Sequence, residues 1–594
     1  MRQWAQAFPD GTNRTRMSGP GSSTEALKMA RRLDWRFLLP EPALRRVAYF
    51  GSGGDLLSEA LRRFSEEFVP VRSGAVATRG DREDCDLAVV ASRRSEDLRA
   101  AYSRLRPGGL LYWEVDRRPG LFGTGPQRDA GDAGARVGRF LTTPHGNLQS
   151  LGFEHVRVSL ALPHARNPRA VLSPDSTAVR FTLALAKRKL YGLDHCASFA
   201  SRIGLLPRIL PGLLVVARRP GGRPSVEGMT ASAFLGEQES GSHAEELSWV
   251  LLSRRGSSFA MTFLLREGSE RPAAVVKSAR LPGHARAEGA LAREAGGLRT
   301  VAEIQPSITR SVPTVLADGR SGGTRSLTLS GMPGAALSRH TLRRDPEGWA
   351  DEIVHWLIDL HKATSAAGTT APDRYDCLVR LPIRELERHL PQSESHQGLI
   401  LRADRALEDL ASFDLPAVLE HGDLCGSNIL AGAKTPGETA ITVVDWEFAE
   451  ARGFPAIDLF FFLASMALAR EPARTWDEKL QTMHRAFRRT DGWAHPWISR
   501  YWEALELPSS AAEPLFICCW TRILARLLQR PDRSLADAAS RGGERAILHH
   551  HFFRFWKDLV AASGSHTFFP AAGEAGGGPA GTHQPLLQCK RSPR

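Results

Sequence analysis

Two short stretches constrain this chain more than the rest of it. They are His421-Gly422-Asp423-Leu424-Cys425-Gly426-Ser427-Asn428-Ile429-Leu430 and Ile441-Thr442-Val443-Val444-Asp445-Trp446-Glu447. Residues 428–430 and 441–444 are apolar runs, and residues 431–439 between them are rich in turn formers. That pattern predicts a β-hairpin. A hairpin returns the chain so that Asp445 faces the Asn428 end of the loop, although 17 positions separate the two. The residue types then suit metal-assisted phosphoryl transfer. Asp423, in a loop, can orient and deprotonate an acceptor hydroxyl. Asn428 can ligate Mg²⁺ without adding charge, and Asp445, ending a buried strand, can bridge the metal to nucleotide phosphates.

HGDLCGSN followed by VVDWEFA resembles the aminoglycoside phosphotransferase and choline kinase superfamily, which carries HGDxxxxN, a strand, and then an aspartate with an aromatic and an acid after it. Gly453-Phe454-Pro455-Ala456-Ile457-Asp458-Leu459 resembles that superfamily's G-x-P-x-x-D-L element. The resemblance implies a bilobal protein-kinase-like domain, with an N-lobe over residues 246–334 and a C-lobe over 335–562. It implies ATP and Mg²⁺ as cofactors and a small-molecule hydroxyl as acceptor. Asp423 becomes the catalytic residue, Asn428 and Asp445 the metal ligands. Asp458 is expected to tie down the backbone of the catalytic loop, and His421 to shape that loop rather than to move protons.

The sequence upstream supplies the parts of an N-lobe. Ser248–Leu252 and Phe259–Leu265 read as strands around a turn, Ser253 to Ser258, where a phosphate-covering loop would sit. A third strand, Ala273–Lys277, ends in a lysine in a chain where arginine is the common base. A compact ammonium suits α- and β-phosphate oxygens. A helix over 287–302 contains Arg293-Glu294-Ala295, the context in which the superfamily places the glutamate that pairs with that lysine; Glu294 is assigned, with Glu288 as the alternative. Ser326 to Gly334 resembles the strand-then-Pro-Gly crossover between lobes, so backbone groups from Ser330 to Met332 are expected to hydrogen-bond adenine. Beyond the site the chain reads helical. His549-His550-His551 reads as a partly exposed helix end rather than a metal site, because no Cys or acidic partners stand at ligand spacing.

The first third reads as a separate α/β domain over 35–219. Strands alternate with helices around Arg45–Leu56, Cys85–Val90, Arg104–Val115, Leu151–Val158 and Gly212–Arg218, which implies a doubly wound sheet. The order, with Leu105-Arg106-Pro107-Gly108-Gly109-Leu110-Leu111-Tyr112 and a late Leu151-Gly152-Phe153, resembles class I S-adenosylmethionine-dependent methyltransferases of Rossmann-like fold. S-adenosylmethionine is therefore a possible cofactor. Its binding is expected to be weak or absent: the glycine turn Gly51-Ser52-Gly53-Gly54 has no acid just before it, and the stretch Phe68 to Gly74 ends without one.

Composition bounds the rest. At 594 residues, 42% hydrophobic and 24% charged, the chain can hold two to three cores. The net charge of +13 comes from dispersed arginine; no basic block with interleaved aromatics points to nucleic acid. Seven scattered cysteines without a CxxC suggest reduced thiols, and with no apolar leader over 1–17 and no apolar helix long enough to span a bilayer the expected location is the cytoplasm. Residues 1–34 and 563–594 read as disordered, and 220–245 as an interdomain linker. The resulting expectation is α/β plus α+β: a methyltransferase-type domain followed by a phosphotransferase. A bifunctional methyltransferase-kinase and a non-catalytic kinase-like scaffold are the alternatives. Acceptor identity, ATP against GTP, and oligomeric state are not legible.

Overall fold

The computed structural model describes residues 20–564 apart from 40, 73–83, 93, 117–143, 187–211, 222–246, 255, 270, 367–371, 433–440, 490 and 530–544. The expected linker and the tail beyond Gly564 lie outside the described residues. The chain divides into two compact units. One comprises residues 1–336 with 429–449 and 531–533; the other comprises 337–428, 450–530 and 534–594.

The first unit is built on one 12-stranded sheet. Strands β1 (Arg46–Phe50), β2 (Glu67–Val71), β3 (Cys85–Val90) and β4 (Leu105–Asp116) run parallel in the order β2-β1-β3-β4. Their Val, Leu and Ala content suits strands covered on both faces. Helices α1 (Pro20–Arg31), α2 (Leu56–Phe64), α3 (Ser95–Arg104), α4 (Pro144–Ser150) and α5 (Ser176–Ala186) accompany this part of the unit. After β4 every neighbour is antiparallel: β7 (Gly212–Arg218), β5 (Glu154–Leu162), β6 (Ala170–Leu172), then β8 (Ser248–Leu252), β9 (Phe259–Leu265), β10 (Pro272–Ala279), β12 (Thr324–Ser330) and β11 (Val315–Ser321).

The break expected between residues 219 and 246 is therefore not a break in the sheet. Short β6 pairs with β8 through Ala170↔Leu252, Val171↔Leu251 and Leu172↔Val250. An open sheet edge presents unpaired N–H and C=O groups, and here the edge of one half completes the edge of the other. The start of the chain also departs from expectation. Within the stretch read as disordered, α1 forms and buries Ala26, Leu27 and Ala30. Its buried side is two alanines and one leucine, a short apolar signal that a polar reading of the segment overlooks. Residues 1–19 lie outside the described residues.

Helix α6 (Ala285–Ala302) follows β10 and buries Ala287, Leu291, Glu294, Ala295 and Leu298. Residues 429–449 contribute the expected hairpin, β15 (Ile429–Ala431) with β16 (Ile441–Val443), paired Ile429↔Val443 to Ala431↔Ile441 and joined at its edge by β13 (Ala335–Ala336).

The second unit is helical around the ribbon β14 (Val418–Glu420) and β17 (Glu450–Gly453). Its core holds α7 (Pro346–Thr364), α8 (Ile457–Arg470), α9 (Ala512–Gln529) and α10 (His551–Ala562), with Leu357, Phe460, Leu463, Phe516, Trp520 and Trp556 fully buried. His550 and His551 are buried against Trp476, at 4.7 and 5.1 Å between ring centroids, rather than exposed. The His551 ring stacks on the indole at 18° and the His550 ring is tilted at 46°, which the sequence pattern does not reveal. Among the described residues no three His, Cys, Asp or Glu form a cluster able to hold a metal ion.

Candidate active site

The first unit places three predicted residues together. Lys277 lies near the end of β10, Glu294 in α6, and Asp445 just after β16. The Lys277 Nζ donates to Glu294 Oε1 and Oε2 at 2.7 and 2.8 Å and to Asp445 Oδ1 at 2.7 Å. The lysine and glutamate side chains are 8% and 1% exposed, whereas Asp445 is 44% exposed and so faces outward from the pair. Burial alone would drive the lysine toward its neutral form. The Asp445 and Glu294 carboxylates outweigh that and hold Lys277 above the ordinary lysine value. The ammonium is thus a fixed positive charge on a strand, with both flanking acids in hydrogen-bond contact.

Asp445 has φ of +71°, a conformation that side-chain-bearing residues rarely adopt. Such backbone costs on the order of 1–3 kcal/mol and gathers at functional sites. Trp446 behind it is fully buried and donates Nε1–H to the Val443 carbonyl at 3.1 Å, which helps hold the turn. Ile429, the residue after Asn428, pairs with Val443, two residues before Asp445.

In the crossover expected to bind adenine, the Ser330 N–H donates to the Thr314 carbonyl at 2.8 Å and the Gly331 N–H to the Ala273 carbonyl at 3.0 Å, so those two amides are engaged within the protein. At Gly331 the chains cross so closely that a Cβ would stand 1.7 Å from the Pro272 carbonyl oxygen, so only glycine fits. Glu288, the alternative to Glu294, pairs instead with Arg320 on the surface.

The second unit positions Asp423 and Asn428. Asp458, at the start of α8, accepts the His421 N–H at 2.6 Å through Oδ2 and the Gly422 N–H at 2.8 Å through Oδ1. Burial, with Glu420 nearby, pushes the Asp458 carboxyl up to about 7 against the pull of those two amides. His421 is fully buried, and its Nδ1 accepts the Asp423 N–H at 3.2 Å, a loop-shaping contact. Asn428 donates Nδ2–H to the Asp423 carbonyl at 2.9 Å and to Asp423 Oδ2 at 3.2 Å. With the amide nitrogen so engaged, Asn428 Oδ1 is the atom left to act as a ligand.

Two further residues support this loop and were not anticipated. Arg522 on α9 pairs with Glu420 at 2.7 Å, both buried, and Glu420 also accepts the Phe454 N–H at 2.6 Å. Arg526, one turn along, donates to the Gly422 carbonyl. Two arginines four apart inside an apolar helix were the available signal, since buried guanidinium groups need partners.

Residues 252–494 match the family described as "Phosphotransferase enzyme family" (APH), and this segment is a phosphotransferase-family domain. The match assigns no family to the first 251 residues or to α9 and α10. Among solved structures, the chain is similar to a thermostable mutant of the aminoglycoside phosphotransferase APH(4)-Ia in its apo form. Identity is 15%, coverage 56% of this chain and 99% of that one, and the TM-score 0.35. The aminoglycoside phosphotransferase APH(3'')-Id from Streptomyces rimosus ATCC10970 is 17% identical over 48% of this chain and 98% of that one, with a TM-score of 0.28. The amicoumacin kinase hAmiN, in complex with AMP-PNP, Ca²⁺ and Ami, is 14% identical over 52% of this chain and 86% of that one, with a TM-score of 0.33. No curated protein matches the chain. Among the described residues no helix is long and apolar enough to cross a membrane.

Proposed function

We propose that the chain is a small-molecule kinase that transfers the γ-phosphoryl group of ATP to a hydroxyl acceptor. The observation that carries this reading is the Lys277–Glu294–Asp445 cluster inside a segment that matches the phosphotransferase family. A buried ammonium held by one buried and one outward-facing carboxylate suits a nucleotide with its metal better than it suits a structural ion pair, which would not leave Asp445 at 44% exposure.

By residue type the two assigned ligands suit Mg²⁺: Asp445 would supply a carboxylate and Asn428 a neutral carbonyl oxygen, hard oxygen ligands of the kind the ion prefers. When bound, the ion would neutralise charge on the β- and γ-phosphate oxygens. Lys277 is assigned to the phosphates, Glu294 to holding Lys277, and the Met332 backbone to adenine. Asp423 is assigned to orienting the acceptor and taking its proton. Its place in a loop fixed by Asp458, His421 and Arg526 supports that role, because such a base must be held in position rather than merely present.

For the first half of the first unit we read a doubly wound scaffold of methyltransferase type that has no methyl-transfer role. The order β2-β1-β3-β4 places a topological switch between β1 and β3, where such sheets take ligands. At that point the Tyr49 ring stands over Gly51, and its hydroxyl donates to Asp55 at 2.7 Å. The first glycine of the turn is thus covered by the protein's own tyrosine.

ADP release from Mg·ATP, screened over amino alcohols, sugars and aminoglycosides with the full chain, tests the main reading. Acceptor-dependent ADP release that is lost in Asp423→Asn supports it. Failure of the wild type to bind Mg·ATP contradicts it.

A further inference from the structure

The turn between β8 and β9, residues 253–258, is where a phosphate-covering loop would lie, yet its glycine content is low: Gly256 alone. Such a loop needs another source of definition, and the structure supplies one from far away in the sequence. Asp34 is 3% exposed and Arg280, just after β10, is 1% exposed. The guanidinium grips the carboxylate from Nε to Oδ1 at 2.9 Å and from Nη2 to Oδ2 at 2.9 Å, across 246 positions of sequence. Asp34 Oδ2 also accepts the Ser253 hydroxyl at 2.6 Å, the first residue of the turn. Arg280 reaches the other side of the turn, donating Nη1–H to the Ser257 carbonyl and its backbone N–H to the Ser258 carbonyl at 3.0 Å.

The neighbours of Asp34 reinforce this. Arg31 donates Nε–H to the Ser253 carbonyl at 3.2 Å, and Arg36 donates Nη2–H to the Arg280 carbonyl at 2.5 Å. Trp35 stacks on Tyr112 of β4, with centroids 3.7 Å apart and planes 12° apart, which anchors the segment on the parallel half of the sheet. A bidentate, buried arginine–carboxylate pair is rigid and directional. It fixes both ends of a six-residue turn whose middle carries no contact of this kind among its described residues.

We infer that Asp34 is a positioning residue for nucleotide binding: with Arg280 it sets the β8–β9 turn, so a segment outside the phosphotransferase-family match determines how the nucleotide phosphates are covered. This rests on the phosphotransferase reading above. It also means that the segment 252–494 is not self-sufficient, because the clamp on its loop comes from residues 31–36.

The test is titration calorimetry of Mg·ATP into the full chain, with thermal unfolding measured in parallel. The variants are Asp34→Asn, Ser253→Ala and, as a control, Asp318→Asn. Asp318 forms another ion pair of the same unit, with Arg325 at 2.9 Å, and bonds to neither the turn nor residues 31–36. The expected result is a Kd for Mg·ATP raised about tenfold in Asp34→Asn, and raised less in Ser253→Ala, which removes one hydroxyl and should fold. Asp318→Asn should lower the melting temperature yet leave the Kd within about twofold of wild type. Equal Kd values for wild type, Ser253→Ala and Asp34→Asn would overturn the inference. So would weakening in Asp318→Asn as large as in Asp34→Asn, which would make the effect one of general stability. Absence of Mg·ATP binding by the wild type would overturn the phosphotransferase reading itself, and this inference with it.

Discussion

The ends of β1 and β10, in the parallel and antiparallel stretches of the first unit's sheet, pair their polar residues in opposite ways. At the end of β1, the tyrosine beside the glycine turn bonds to the aspartate that caps α2, and the capping carboxylate also accepts the Ser58 N–H at 2.7 Å. Tyr49 and Asp55 are thus matched from within the same short stretch. At the end of β10, the lysine is matched from a distant helix and from the residue after a distant hairpin, and one of its two acids faces outward. Local pairing closes a turn; pairing assembled from three separated elements, with one member left outward and in strained backbone, is how a site for a charged ligand is built. The difference supports the proposal that the chemistry lies at the end of β10 rather than at the end of β1.

The largest effect that can break this comparison is expected at Lys277. Lys277→Met should abolish measurable Mg·ATP binding and also lower stability by roughly 3–5 kcal/mol, because Glu294 is left buried without its cation. The stability loss should be relieved by adding Glu294→Gln, while nucleotide binding stays lost. Denaturant unfolding and calorimetry on the single and double variants check both halves, and nucleotide binding that survives in either variant would remove the lysine from the site.

A smaller contrast is expected between the two metal ligands. Asp445→Ala should weaken Mg²⁺-dependent nucleotide binding more than Asn428→Ala does, since it removes a charge where the other removes a neutral carbonyl. Titrating Mg·ATP against both decides it; equal losses contradict the assignment.

The parallel stretch is tested by what it should fail to do. S-adenosylmethionine titrated into the full chain should give no heat at micromolar concentrations, and such binding, if found, would make a bifunctional enzyme the better account. The full chain is the proper sample because β6 pairs with β8, so an excised first half would expose a sheet edge. The smallest effect is expected for Tyr49→Phe. It deletes one buried hydrogen bond to Asp55 and should cost about 1 kcal/mol of stability with turnover unchanged.

Much of the antiparallel stretch was legible in the sequence. β8 and β9 are short apolar runs bounded by turn formers, β10 carries a rare lysine near its end, and the two strands before Asp445 pair as expected. The catalytic loop's tether to Asp458 was legible through the motif around it. What stayed hidden was pairing without sequence signature. The β6–β8 junction uses backbone groups of a three-residue strand, and any apolar residue would serve there. Asp34 and Arg280 are ordinary charged residues until the fold buries them face to face. That the Ser330 amide is taken by the Thr314 carbonyl was equally hidden, because Thr314 lies outside the crossover motif.

The central claim is that Asp423 performs the proton step of phosphoryl transfer while the nucleotide is held elsewhere. Steady-state turnover and Mg·ATP affinity of Asp423→Asn, measured side by side with an acceptor found in the ADP-release screen, test it most directly. The account predicts a fall in kcat of about 10²–10⁴-fold, the usual contribution of a positioned base, with the Kd for Mg·ATP within about threefold of wild type. Turnover persisting within tenfold of wild type, a barrier change below about 1.4 kcal/mol, would contradict it.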